Sequence, residues 1–181
     1  MTHKISRLHS GLLLGLGALA LTGCGLLQPS RVGQTTGKEF TLTVKNTLAK
    51  ERFAPVLIVG DANDQKIWVG RYVSAEAHTQ FTTGNPGPLA AVLGGDQGQP
   101  GKIGVGEEIT FRFKTNARTA RITAMVHPDI TPDNYVTALI DLDKPGVTPL
   151  ERFDIGDDEK RMTVLKVGPA GTVTLQPTGM R

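Results

Sequence analysis

Two acidic stretches hold most of the side chains that could do chemistry. The first holds His127, Asp129, Asp133 and Asn134 between two apolar runs. The second runs Asp154-Ile155-Gly156-Asp157-Asp158-Glu159. Hard oxygens of this kind suit calcium, which takes six to eight ligands from carboxylates, amides, backbone carbonyls and water. Asp133 and Asp129 could supply one side of such a site, and Asp154 with Asp157 or Asp158 the other. The two loops would have to lie at the same end of the fold, so the strands before them would have to run the same way. Asp, Asn and Pro are equally at home in solvated turns, and that reading stays open. A transition metal at His127, Asp129 and Asp133 is a second possibility, weakened by the single histidine, since zinc prefers His and Cys. Pro128 and Pro132 also rule out a helix that would align those ligands.

Acyl-transfer chemistry has little to work with. There is no G-x-S-x-G elbow. The carboxylates at 157–159 are sequence neighbours rather than a pair across a cleft, as a glycosidase needs. Gly104-Val105-Gly106 precedes an extended run rather than a helix, so it is no phosphate cradle. Trp68, the only tryptophan, is expected in the core rather than on a ligand platform.

The only cysteine, Cys24, closes an N-terminal pattern. His3, Lys4 and Arg7 make a basic start, and Gly11 to Leu21 an uncharged apolar run too short to span a bilayer. Leu21-Thr22-Gly23-Cys24 then resembles the bacterial lipobox. That resemblance implies cleavage before Cys24, acylation of its thiol and a lipid-anchored protein of the cell envelope. Several acyl chains hold a membrane far more firmly than one. Gly25 stands where an inner-membrane retention signal would have Asp, which favours the outer membrane, on its periplasmic or surface face. The expected organisation is a signal peptide over 1–23, a tether over 24–38 and one domain over 39–181. The tether GLLQPSRVGQTTGK would reach roughly 20 Å as a flexible coil. With no second cysteine, the domain must stand on its core without a disulfide.

Charge adds an exclusion. The net charge of +3 falls to +1 once Lys4 and Arg7 leave with the signal. No basic cluster with interleaved aromatics occurs, so no nucleic-acid partner is expected.

The elements that must position these residues are strands. Phe40, Leu42 and Val44 alternate with polar residues, as do Ile109, Phe111 and Phe113. Around the first acidic stretch, Ile122, Ala124 and Val126 alternate before it, and Val136, Ala138, Ile140 and Leu142 after it. Period-2 patterning of this sort marks strands with one buried face. Phe53 to Val59 is apolar throughout, which fits a strand covered on both faces. Residues 66–72 read as a further strand or extended segment, Ser74 as the N-cap of a short helix, and 82–106 as a long surface excursion with one helical turn. Residues 161–166 and 171–176 read as a hairpin closing across Gly168-Pro169-Ala170-Gly171. About eight short strands with little helix predict an all-β, antiparallel β-sandwich; a small barrel is the alternative.

Three segments together resemble the spondin N-terminal domain family in its bacterial lipoprotein form. They are 40–46 followed closely by Phe53-Ala54-Pro55-Val56, 124–136 with its Thr131-Pro132-Asp133-Asn134-Tyr135-Val136, and the acidic run 154–159. The resemblance covers about residues 39–160. It implies an antiparallel sandwich and, in animal members, an adhesive matrix role with a calcium site, for which Asp133 and Asp154 are the favoured pair. The expectation is therefore a non-enzymatic binding or adhesion module with a protein or glycan partner. The alternatives are a small metal-dependent envelope enzyme at His127, Asp129 and Asp133, and a ligand-free structural envelope lipoprotein.

Overall fold

The computed structural model describes residues 37–127, 134–156 and 163–176. They belong to one compact unit spanning Thr35–Arg181. In chain order the strands are β1 (Lys38–Asn46), β2 (Arg52–Gly60), the short β3 (Trp68–Val69) and β4 (Tyr72–Val73), β5 (Gln97–Ile103), β6 (Glu108–Thr115), β7 (Thr119–His127), β8 (Asn134–Asp141), β9 (Gly146–Asp154) and β10 (Leu165–Gln176). Two helices, α1 (Ala75–Thr83) and α2 (Gly87–Leu93), fall between β4 and β5.

Eight strands form one antiparallel sheet in the order β5-β2-β7-β8-β9-β10-β1-β6. All eight contribute to a single core, from Phe40, Leu42 and Val44 on β1 round to Phe113 on β6. The sheet therefore curls until its halves face each other, and its edge strands approach: a Cβ added at Gly98 on β5 would lie 3.6 Å from the Phe113 ring on β6. The expected all-β class, antiparallel layering and strand number are all present, in a form close to a barrel.

The alternating residues take the faces assigned to them. Ile122, Ala124 and Val126 on β7 and Val136, Ala138 and Ile140 on β8 point into the core. The β7–β8 register pairs Ala124 with Val136. On β2 both Phe53 and Val56 face inward although three residues apart. A register shift between Phe53 and Leu57 absorbs the odd step, at the point where Pro55 has no N–H for the ladder.

β2 is buried on both faces, as its continuous apolar run predicts. Its outer residues Leu57 and Val59 join a second cluster with Ile67, Phe81, Leu89, Leu93 and Tyr135. A helical cap covers this outer face of β2, β7 and β8. Ser74 Oγ accepts from Ala77 N–H (3.2 Å) and starts α1, as expected of an N-cap. Gly84 ends it at φ +72, its N–H donating to Gln80 O. Phe81 stacks on Tyr135 at 3.9 Å between ring centroids, and buried Gln80 accepts from Thr123 Oγ1 of β7 (3.0 Å). The cap and the sheet are thus joined by both apolar and polar contacts.

Three expectations change. Residues 82–106 are not an excursion with one helical turn: they complete α1 and form α2 and the edge strand β5. Residues 66–72 are not one full strand: a 3-10 turn (Asp64–Lys66) ends at their start, and Trp68–Val69 pairs with Tyr72–Val73 in a two-residue ladder. Residues 165–176 are not a hairpin but one long strand pairing β9 on one side and β1 on the other. Register shifts at Lys166/Gly168 and Pro169/Gly171 take up the residues that read as a turn. No helix among the described residues is long and apolar enough to cross a membrane.

Candidate functional site

One end of the curled sheet carries both acidic stretches. β7 and β9 each pair antiparallel with β8, so they run the same way and deliver their following segments to the same end. There Asn134, which opens β8, is the register partner of Asp154, which ends β9. The Asp154 Oδ1 accepts from Gly156 N–H at 2.6 Å, a tight Asx-type turn out of the strand. His127 ends β7, half-buried on the outer face. Of the residues singled out from sequence, His127, Asn134 and Asp154 are therefore at this end. Asp129, Asp133, Asp157 and Cys24 lie outside the described residues.

The core at this end is closed by a polar plug that the sequence does not advertise. Inward-facing Arg152 on β9 spends its whole guanidinium there. Nη1 and Nη2 donate to the two Glu51 carboxylate oxygens (2.7 and 2.8 Å), and Nε donates to Asn134 Oδ1 (2.9 Å). Both charged side chains are only 13% exposed. The fork-to-fork geometry is what makes an ion pair tolerable out of water. Beside it, buried Asn46 bonds through Nδ2 to Glu51 O (2.8 Å) and Gly104 O (3.0 Å), and its Oδ1 accepts from Leu48 N–H (2.9 Å). Asn46, Glu51, Asn134 and Arg152 thus form a rigid base beneath the point where the acidic stretches leave the sheet. Glu51 and Arg152 are too far apart in sequence for any spacing rule to join them. The only local signal was the polar pair Asn46 and Asn134, each ending an otherwise apolar face.

A second aromatic and cationic group fixes the cap. Arg121 on β7 pairs with Asp64 through both Nε and Nη2 and lies over the Trp68 ring, 5.0 Å from its centroid. Trp68 Nε1–H donates to Tyr135 OH at 3.0 Å. Trp68 is half-buried against the second cluster, in keeping with a packing role. Burial pushes the Tyr135 hydroxyl up to about 12, against the opposing effects of the Trp68 bond and the Arg121 charge.

At His127, Nε2 lies 3.3 Å from Arg52 Nη2, its register partner on β2. A guanidinium only donates, so that imidazole nitrogen accepts. A cation therefore already occupies the place a metal on Nε2 would take, which counts against a metal centre built on that nitrogen. Among the described residues no three His, Cys, Asp or Glu side chains gather as metal ligands.

No protein-family model matches the chain, and a search of curated proteins found no match either.

Proposed function

We propose that the protein is a non-enzymatic binding module of the spondin type. In this reading it is held to a bacterial envelope membrane by acylated Cys24 and engages a protein or glycan partner through the end of the sheet that bears Asn134 and Asp154. A calcium ion shared by Asp133 and Asp154, with Asp129 and Asp157 as further oxygen donors, would order that end. The supporting observation is the Asn134–Asp154 register pair. It satisfies the geometric condition that the two acidic stretches spring from neighbouring strands at one end. The buried Glu51–Arg152–Asn134 plug adds a stiff foundation, which a loop-borne binding surface requires.

The test is a calorimetric titration of calcium into the Thr35–Arg181 unit, with Asp133→Asn and Asp154→Asn alongside. One-to-one heat is expected in the parent and is lost in both variants. With a Kd of about 0.1 mM, within the range of extracellular modules, 10 mM calcium would add about 2.7 kcal/mol of stability. Absence of heat and of any melting shift at 10 mM would remove calcium and leave a metal-free interaction module. Unaltered binding in both variants would remove these two carboxylates as its ligands.

A further inference from the structure

A cleft on the outer face of β5, β2 and β7, at the end of the sheet where β7 finishes in His127, is basic in character. Three basic side chains from three adjacent strands border it. Arg52 and His127 are register partners. Lys102 on β5 precedes Ile103, which pairs with Phe53, so Lys102 stands beside Ala54 on the same outer face as Arg52. The cleft encloses about 330 Å³, at the lower end of the range for small-ligand sites. Its lining contains no carboxylate among the described residues. Neither Arg52 nor Lys102 has an acidic partner among them.

The hollow is built by small residues. Ala54 forms part of the floor, and Gly84 passes so close that a Cβ there would lie 2.9 Å from the Ala54 Cβ. Gly84 is also the left-handed terminus of α1, so the end of the helix and the floor of the cleft are fixed by one residue. On the rim, Asn85 Oδ1 is occupied by Gly87 N–H (3.0 Å), which leaves its Nδ2 amide as the donating end. The cleft therefore presents a guanidinium, an ammonium and an amide donor around a wall of small side chains.

We propose that this cleft binds a phosphoryl group. The Arg52 and Lys102 charges together match a dianionic phosphate, and the guanidinium fork fits two of its oxygens. His127 holds the fork in place through the Arg52 Nη2 contact. The chemistry fits either a soluble phosphomonoester or a phospholipid headgroup, and the site requires neither calcium nor the acidic stretches.

The test titrates inorganic phosphate and glycerol phosphate into the full chain in a neutral detergent, at constant ionic strength, since screening alone weakens surface binding. Saturable binding with a Kd on the order of 1 mM or tighter is expected. It should weaken by roughly tenfold or more in Arg52→Gln/Lys102→Gln, because charge-assisted bonds are lost. Lys144→Gln, an exposed lysine elsewhere, should leave it unchanged. Both cleft substitutions are at exposed positions, and an unchanged melting temperature without ligand checks the fold. Flotation with phosphatidylglycerol vesicles, using Cys24→Ser to remove the anchor, separates the sources. Capture that depends on Arg52 and Lys102 assigns the headgroup; phosphate binding without such capture assigns a soluble ligand. No saturable binding of either phosphate below 10 mM, or equal loss in Lys144→Gln, would overturn the proposal.

Discussion

Replacing Arg152 with Leu probes the polar plug directly. The substitution keeps most of the volume but leaves Glu51, only 13% exposed, without its cation, and removes the Arg152 Nε–H bond to Asn134 Oδ1. Removing one partner of a buried ion pair costs about 3–5 kcal/mol. The pair lies at the end of the core rather than in its centre, so the lower figure, about 3 kcal/mol, is expected. For a unit of this size that corresponds to a melting temperature lower by about 6–12 °C. Glu51→Leu should cost a similar amount by leaving the guanidinium unpaired. The double variant is the informative one. With both charges gone, no uncompensated charge is left at this end of the core, and the cost should fall well below the value of about 3 kcal/mol for either single change. Urea unfolding of the Thr35–Arg181 unit should therefore find the double variant more stable than either single one. Costs that simply add in the double variant, or an Arg152→Leu cost below about 1 kcal/mol, would refute the view that this pair is a coupled, desolvated unit.

Other outcomes follow from the cap and the N-terminus. Tyr135 keeps its proton more firmly folded than unfolded, so its contribution is complete below pH 10 and is lost as pH rises from 10 through about 12. The loss should be about 3 kcal/mol, and should be absent from Tyr135→Phe in unfolding measured across that range. Absorbance at 295 nm should show one of the two tyrosines titrating late. Phe81→Ala removes a fully buried ring stacked on Tyr135 and should cost about 3–5 kcal/mol, with faster hydrogen exchange in α1 than in β1 as the sign that the cap loosens first. Expressing bacteria fed radiolabelled palmitate should label the parent and not Cys24→Ser; absence of label in the parent, or equal label in both, would remove the lipid anchor at Cys24.

Legibility in the sequence tracked how each strand meets water. β1 and β6 alternate because one face looks inward and the other toward water, whereas β7 and β8 keep the pattern although the cap covers most of their outer face; the inward residues of all four could be named individually. β2 lost its alternation for the reason inferred, since the cap covers its second face with Ile67, Phe81 and Leu89. β5 was missed because an edge strand tolerates Gly98, Pro100 and Gly101, residues that otherwise spell loop. β10 was misread because Gly168-Pro169-Ala170-Gly171 has turn chemistry, and only partners on both sides hold it extended. At the candidate site, His127 could be picked out as the polar residue ending an apolar run and Asp154 as a member of an acidic one. Glu51, Arg52 and Arg152 could not, because their importance comes from partners brought together by sheet topology: Arg52 faces His127 and Arg152 faces Glu51 across the fold.

The place of β10 between β9 and β1 also sets a timetable for the chain. Val44 pairs with Ile109 on one side and Val173 on the other, so the strand made early cannot be zipped on both edges until one made much later appears. At about 5–20 residues per second, synthesis separates Val44 from Val173 by about 6–26 s. Throughout that interval β1 has at least one open edge, and the sheet cannot curl shut around its core. A nascent chain of this design stays unlocked until nearly all of it has been made, a state well suited to passage through a narrow translocation pore. It also makes residues 165–176 the latch of the whole fold: their removal would free β1 and β9 together rather than trim one edge.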